Sequence, residues 1–354
     1  MTKLLKLDRL IFLLLLFHLS PGLLAEMKRV DMKFDNEDRH YLIYSPQDSS
    51  ADSPIDLVIG FHGYGGTASG LELEVTGGFN QFADKYNFIA VYPQSLYLFE
   101  EGEYYSTFND LTGSRSGSQL LEICTLEAYK YPKFSNCRDP SRCSYQPCTD
   151  DIGFVRQLIT DIKKEYKIQN IYVFGNSTGG LFAQRFGCSH PDLVTGILNV
   201  SATQAFGYGC LPNSPVSLTI YSSEKDTAVP PINVEASDGY LYEPMSRVIQ
   251  NFVDNFKCKK LYNETVKNNE TFVTRKYTEC ADDIVITSIL NLEGYHVWPE
   301  TGFDDLTKKS KWVPYGYCAT YLQPELKNEK CRENLNIDPW GADFLVKHLL
   351  SIYE

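Results

Sequence analysis

The chain has 354 residues, of which 45 are acidic and 33 basic, leaving a formal charge of −12. An acidic surface repels phosphate backbones, which sets nucleic acid aside as a partner. No repeat or low-complexity linker interrupts the sequence, and the roughly 330 residues beyond its leader suit one elaborated α/β domain, 26–354, better than two independent ones.

The leader comes first. Lys3, Lys6 and Arg9 precede an apolar stretch from Leu10 to Leu19, and Leu23-Leu24-Ala25 offers a cleavage region near Ala25, so residues 1–25 read as a signal peptide. The apolar run is too short to span a bilayer, although a signal anchor is the competing reading. Loss of Lys3, Lys6 and Arg9 together with Asp8 removes three positive charges and one negative, moving the formal charge from −12 to −14. The expected product is secreted, with no membrane attachment after cleavage and no indication of oligomeric state. Ten cysteines, all beyond Ala25, fit an oxidising compartment and allow five disulfides whose pairing cannot be read. The sequons at Asn199, Asn263 and Asn269 suit a glycoprotein. Asn176-Ser177-Thr178 also matches, but a glycan there would block Ser177.

Strand-like runs at 57–62, 88–92, 171–175, 216–221 and 284–290 alternate with helical patterns, as in a mostly parallel sheet flanked by helices. The first of them, Leu57 to Phe61, runs into His62-Gly63-Tyr64-Gly65-Gly66. This loop resembles the His-Gly loop that lends backbone N–H groups to the oxyanion hole of esterases, with Tyr64 and Thr178 as the expected donors and His62 as a loop-fixing residue. Residues 97–150 have no clear period and hold tyrosines, glycines and Cys124, Cys137, Cys143 and Cys148. Lacking a Cys-x-x-Cys or a histidine pair, these cysteines read as bridges and not as a zinc site. The segment is either a disulfide-stapled insertion covering or edging the active site or an ordinary surface loop. Phe154, Leu158, Ile159, Ile162 and Tyr166 then share one face of a helix expected over 151–167.

The chemistry follows. Residues 171–175 break into Gly175-Asn176-Ser177-Thr178-Gly179 ahead of a helical run at 181–186, a Gly-x-Ser-x-Gly pentapeptide between strand and helix. In that context the serine sits on a tight turn that lifts it clear of the sheet, so Ser177 is the candidate nucleophile. An α/β-hydrolase then presents an acid and a histidine in that order. Asp226, just past the 216–221 strand and stiffened by Val229, Pro230 and Pro231, is preferred over Glu224 and Asp238. His296 follows the 284–290 strand, while His348 falls in a helical pattern near the C-terminus. Tyr295 and Trp298 flank His296 as an aromatic subsite, or else simply pack.

Together these pieces resemble the secreted esterases that include polyhydroxybutyrate depolymerases, feruloyl esterases and acetylxylan esterases. The resemblance also rests on Arg39 to Tyr44, Phe82 to Gln94, Asp151-Ile152-Gly153-Phe154, Gly179-Gly180 and His296-Val297-Trp298-Pro299. It implies an α/β-hydrolase fold with a Ser177–Asp226–His296 triad, ester hydrolysis by acyl transfer, and no metal or organic cofactor. Ser222-Ser223 and Glu293-Gly294-Tyr295 depart from its pattern without removing a catalytic group. Feruloyl or related acyl esters of polysaccharides are the expected substrates, ahead of polyhydroxybutyrate. The rival readings are a peptidase on the same fold and a catalytically silent binding protein.

Overall fold

The computed structural model describes residues 27–46, 49, 52–112, 122–299 and 339–352. The leader expected at 1–25, and Cys318 and Cys331, lie outside the described residues.

Six strands form the parallel heart of a sheet: β3 (Ile55–Phe61), β4 (Phe88–Pro93), β7 (Ile168–Asn176), β8 (Gly196–Val200), β9 (Ser217–Ser223) and β12 (Ile286–Asn291). Their near-continuous apolar sequences suit strands covered on both faces. Along them the side chains alternate between two cores. Leu57, Ile59, Val173, Ile197 and Ile220 point to one side, where α3 (Asp151–Glu165), α4 (Thr178–Ser189) and α5 (Met245–Asn255) pack. Val58, Phe174, Leu198 and Tyr221 point to the other, covered by α1 (Ala68–Gly70), α2 (Asn80–Tyr86) and α6 (Trp340–Leu349). Helix α3 starts where predicted because Asp150 caps it, its carboxylate accepting from Gly153 N–H at 2.8 Å. It ends at Glu165, two residues short of the expectation, because the chain must already turn into β7 at Ile168.

Antiparallel pairs extend both edges. β1 (Met27–Phe34) and β2 (Glu37–Tyr44) form a hairpin that joins β4 through β2. Its turn, Asp35-Asn36, has φ of 51° and 65°, the paired positive values of a tight hairpin turn. β10 (Lys260–Lys267) and β11 (Thr271–Thr278) extend the sheet beyond β12, giving the order β1-β2-β4-β3-β7-β8-β9-β12-β11-β10. A mostly parallel sheet with helices on both faces and a serine turn between β7 and α4 is the α/β-hydrolase fold the sequence predicts.

The 97–150 segment opens with a separate hairpin, β5 (Tyr97–Glu100) and β6 (Glu103–Ser106). Its remainder is stapled by Cys124–Cys143 and Cys137–Cys148. Further disulfides join Cys188 to Cys210 and Cys258 to Cys280. The stapled part docks along residues 238–241: Thr125 N–H donates to Gly239 O, Tyr129 N–H to Asp238 O, and Leu241 N–H to Ile123 O, each at 2.8 Å. Ile123, Tyr145, Leu181, Val229, Tyr240 and Tyr242 share a small apolar core at this junction. The segment is therefore anchored beside the ends of the parallel strands. Among the described residues, no helix is long and apolar enough to cross a membrane.

Candidate active site

Ser177 sits between β7 and α4 at φ 56° and ψ −123°, a backbone state that L-residues rarely adopt. Bonds on both sides hold it there: Ser177 N–H donates to Val200 O at 2.9 Å, and its carbonyl accepts from Gly180 N–H at 2.8 Å. The flanking glycines are required by space. A Cβ on Gly175 would strike the Gly179 carbonyl, and one on Gly179 would strike the Phe61 and His62 carbonyl oxygens. Either side chain would push α4 off the sheet.

The acid and the histidine meet because β9 and β12 are parallel neighbours in register, with Ser223 opposite Asn291. The loops leaving those two residues are tied together: Glu224 N–H donates to Asn291 O at 2.8 Å and Lys225 N–H to Gly294 O at 3.2 Å. Asp226 Oδ2 then lies 2.7 Å from His296 Nδ1, and His296 Nε2 lies 2.8 Å from Ser177 Oγ. Asp226 is 2% exposed, and its Oδ1 accepts from the Ala228 and Val229 amides at 2.9 Å each. Of the competing carboxylates, Glu224 is exposed. Asp238 instead accepts from Tyr131 Oη at 3.0 Å and from Tyr240 N–H at 3.1 Å. Burial pushes the His296 imidazole towards its neutral form, but the charge and hydrogen bond of Asp226 outweigh this and hold its pKa above the usual 6.5. Asn291, not singled out in the sequence, holds the histidine loop: fully buried, its Oδ1 accepts from Glu293 N–H and Gly294 N–H at 3.0 Å each.

The His62–Gly66 loop lies against the nucleophile, for a Cβ on Gly63 would come within 3.3 Å of Ser177 Cβ. Gly66 N–H closes a turn onto Gly63 O at 3.0 Å, with Gly65 at φ 69° in its third position, the signature of a type II turn. His62 is 1% exposed. Its Nε2 accepts from Ser95 N–H at 3.3 Å and faces Gln94 Nε2 at 3.2 Å, so Nδ1 carries the proton and donates to Gly63 O at 2.8 Å. Burial lowers its pKa to about 4 and keeps it neutral, which suits the loop-fixing role expected.

These groups open into a cavity of about 640 Å³. Tyr64, Thr178, Tyr295 and His296 line it, and so do Tyr104, Tyr105, Tyr129, Tyr131 and Tyr145 of the insertion. Tyr240 and Tyr242 complete the aromatic wall. Two residues expected to be functional are placed elsewhere. Trp298 is 1% exposed and packs edge-on against Phe79 and Phe174 in the second core, so it is a packing residue and not a substrate contact. Asn199 is fully buried on β8, donating to Gln184 Oε1 at 2.7 Å and Thr203 O at 2.9 Å, which leaves no room for a glycan in the folded protein. Asn263 and Asn269 are exposed. Glu122, Cys124 and Cys143 converge, but the two sulfurs are bonded to each other and offer no thiolate.

No protein-family model matches the chain, and no curated protein matches it in sequence. Its course is similar to several solved structures. A thermostable esterase is 16% identical over 65% of this chain, with a TM-score of 0.40, and the match spans about half, 52%, of that protein. An acetyl xylan esterase from Aspergillus awamori is 13% identical over 78% of this chain and 95% of its own, with a TM-score of 0.46. The feruloyl esterase module from Clostridium thermocellum, solved with sinapinate, is 11% identical over 77% and 83% of the two chains, with a TM-score of 0.44. These are distant likenesses and carry no weight in assigning the reaction.

Proposed function

We propose that the protein is a secreted serine hydrolase of carboxylic esters, acting on feruloyl or related acyl esters of polysaccharides. The observation that carries this reading is the unbroken relay from Asp226 through His296 to Ser177, opening into a tyrosine-lined cavity. Ser177 Oγ attacks the ester carbonyl carbon while His296 Nε2 takes its proton. The negative oxygen that develops is held by the Tyr64 and Thr178 amides, and Asp226 stabilises the imidazolium. Collapse of the tetrahedral species expels the alcohol, which leaves with the proton from His296. Water, deprotonated by His296, then attacks the acyl-enzyme, and collapse returns the proton to Ser177 and frees the acid.

The aromatic wall favours a substrate with flat or ring-shaped parts. Tyrosines offer apolar faces for stacking on sugar or cinnamoyl rings, with hydroxyls left to hydrogen-bond. Export fits the disulfides and the exposed sequons at Asn263 and Asn269. The test compares kcat/KM on methyl ferulate with release of 3-hydroxybutyrate oligomers from a polyhydroxybutyrate film, with Ser177→Ala as the blank. Ferulate release without film hydrolysis is expected. The reverse makes the protein a depolymerase, and hydrolysis of neither these nor a p-nitrophenyl ester makes it a silent relative.

A further inference from the structure

The expected oxyanion hole has two halves on different elements, and its loop half is mostly glycine. A backbone donor stabilises a transition state only when it is aimed at the position the oxyanion will occupy, and a misplacement of about 1 Å can cost on the order of 10²-fold. Gly63, Gly65 and Gly66 have no side chains with which to hold that aim, so it needs a grip on the backbone beyond the one His62 has on Gly63 O.

The end of β6 supplies it. Gly65 N–H donates to Ser106 O at 2.7 Å, and Ser106 Oγ donates back to Gly66 O at 2.6 Å, so one residue grips the turn beside Tyr64 from both directions. The next residue reaches the other half: Thr107 Oγ1 donates to Thr178 Oγ1 at 3.3 Å, at the first residue of α4. Phe108 then fills the space beneath, edge-on to Phe61 at 5.2 Å, stacked on Phe182 at 5.0 Å and against the His62 ring at 4.8 Å. Ser106 and Thr107 are 3% and 1% exposed, and neither lines the cavity. They touch no substrate, yet they bridge the two elements whose amides must converge on one oxygen.

We infer that Ser106 and Thr107 are positioning residues that hold the Tyr64 and Thr178 amides in register. This rests on the esterase reading above. It also gives the insertion hairpin a role in rate as well as in recognition, since Tyr104 and Tyr105 of the same strand face the cavity.

The experiment measures kcat and KM on p-nitrophenyl acetate and the inhibition constant of phenylboronic acid, whose tetrahedral adduct with a serine places an oxygen in the oxyanion hole. Ser106→Ala, shown folded by circular dichroism, is expected to lower kcat about 10- to 100-fold, to leave KM within about twofold, and to weaken phenylboronic acid by a similar factor to the loss in kcat. Ser106→Thr, which keeps the hydroxyl, is expected to recover most of that loss. If Ser106→Ala does not fold, Thr107→Val puts the same question to the helix half, with a smaller loss in kcat and the same link to boronate affinity. A folded Ser106→Ala with kcat within twofold of the parent, or a loss of kcat with unchanged boronate affinity, overturns the assignment and leaves the esterase reading standing. A parent protein that hydrolyses no ester overturns both.

Discussion

Ser177, Asp226 and His296 lie one, three and five residues past the ends of β7, β9 and β12, whereas most of the tyrosines walling the cavity come from the short strand β6, with Tyr104 and Tyr105, and from loops, with Tyr129, Tyr131, Tyr145, Tyr240 and Tyr242. The first group is fixed by the register of parallel strands: once Ser223 stands opposite Asn291, the loops beyond them are joined by backbone bonds and the acid meets the histidine. The second group is fixed by disulfides, by backbone bonds between two loops, and by clasps such as Tyr131 on Asp238. On the proposed reading, reacting groups just past strand ends and recognition by tyrosines of stapled loops make the reaction and the choice of substrate largely separable. Substitutions at the strand ends should therefore strike rate on every ester, as should those at Ser106 and Thr107, whereas substitutions of the cavity-lining tyrosines should strike only some.

The largest effect belongs to the nucleophile. Ser177→Ala is expected to lower kcat by roughly 10⁶ on both short and bulky esters while the fold is retained. Activity within tenfold of the parent would show that the strand ends do not carry the chemistry. Asp226→Asn comes next, with a kcat loss of roughly 10⁴, and Glu224→Gln should leave kcat unchanged. The parent's kcat/KM should rise with pH through a pKa above 6.5, because the imidazole must be neutral to act as base and Asp226 holds its pKa up. In Asp226→Asn that limb should move to lower pH.

A stability effect follows in the scaffold beside the cavity. Glu72 is 3% exposed, and burial raises its carboxyl from 4.5 to about 7. The folded state thus keeps a proton that the unfolded chain gives up. That stability is fully present below pH 4.5 and is lost as pH rises to about 7. Glu72→Gln should be more stable than the parent at pH 8 by about 2 to 3 kcal/mol and should converge with it near pH 4, as read from thermal melts. A gap that is constant across pH would remove Glu72 from this role. The smallest effect is in the insertion: Tyr131→Phe frees one Asp238 oxygen and should cost about 1 kcal/mol, roughly fivefold in kcat/KM, on methyl ferulate but not on p-nitrophenyl acetate. Equal losses on both esters would erase the distinction between the two regions.

The strand ends were legible because their signals are local. Gly175, Ser177 and Gly179 state the elbow within five residues, and an acid and a histidine after successive apolar runs state the rest. What holds Asp226 is more than the stiffness of Val229, Pro230 and Pro231, since its own Oδ1 accepts from the Ala228 and Val229 amides. The same turn chemistry, an asparagine after a strand followed by Glu293-Gly294, was the available signal for Asn291. Nearness in sequence to His296 says nothing of direction: the chain turns Trp298 into the core, edge-on to the stacked pair Phe79 and Phe174. A sequon reports sequence and not burial, so Asn199 looked like Asn263. The insertion was illegible in detail because its pairings, Cys124 with Cys143 and Tyr131 with Asp238, join residues 19 and 107 positions apart.

The most direct measurement of the central claim is mass-spectrometric peptide mapping after treatment with an alkyl fluorophosphonate, which traps a serine activated by a neighbouring base. One adduct on the peptide holding Ser177, absent after Ser177→Ala and strongly slowed by His296→Ala, is the predicted result. No adduct, an adduct on another residue, or labelling of Ser177 at the parent rate in His296→Ala would contradict it.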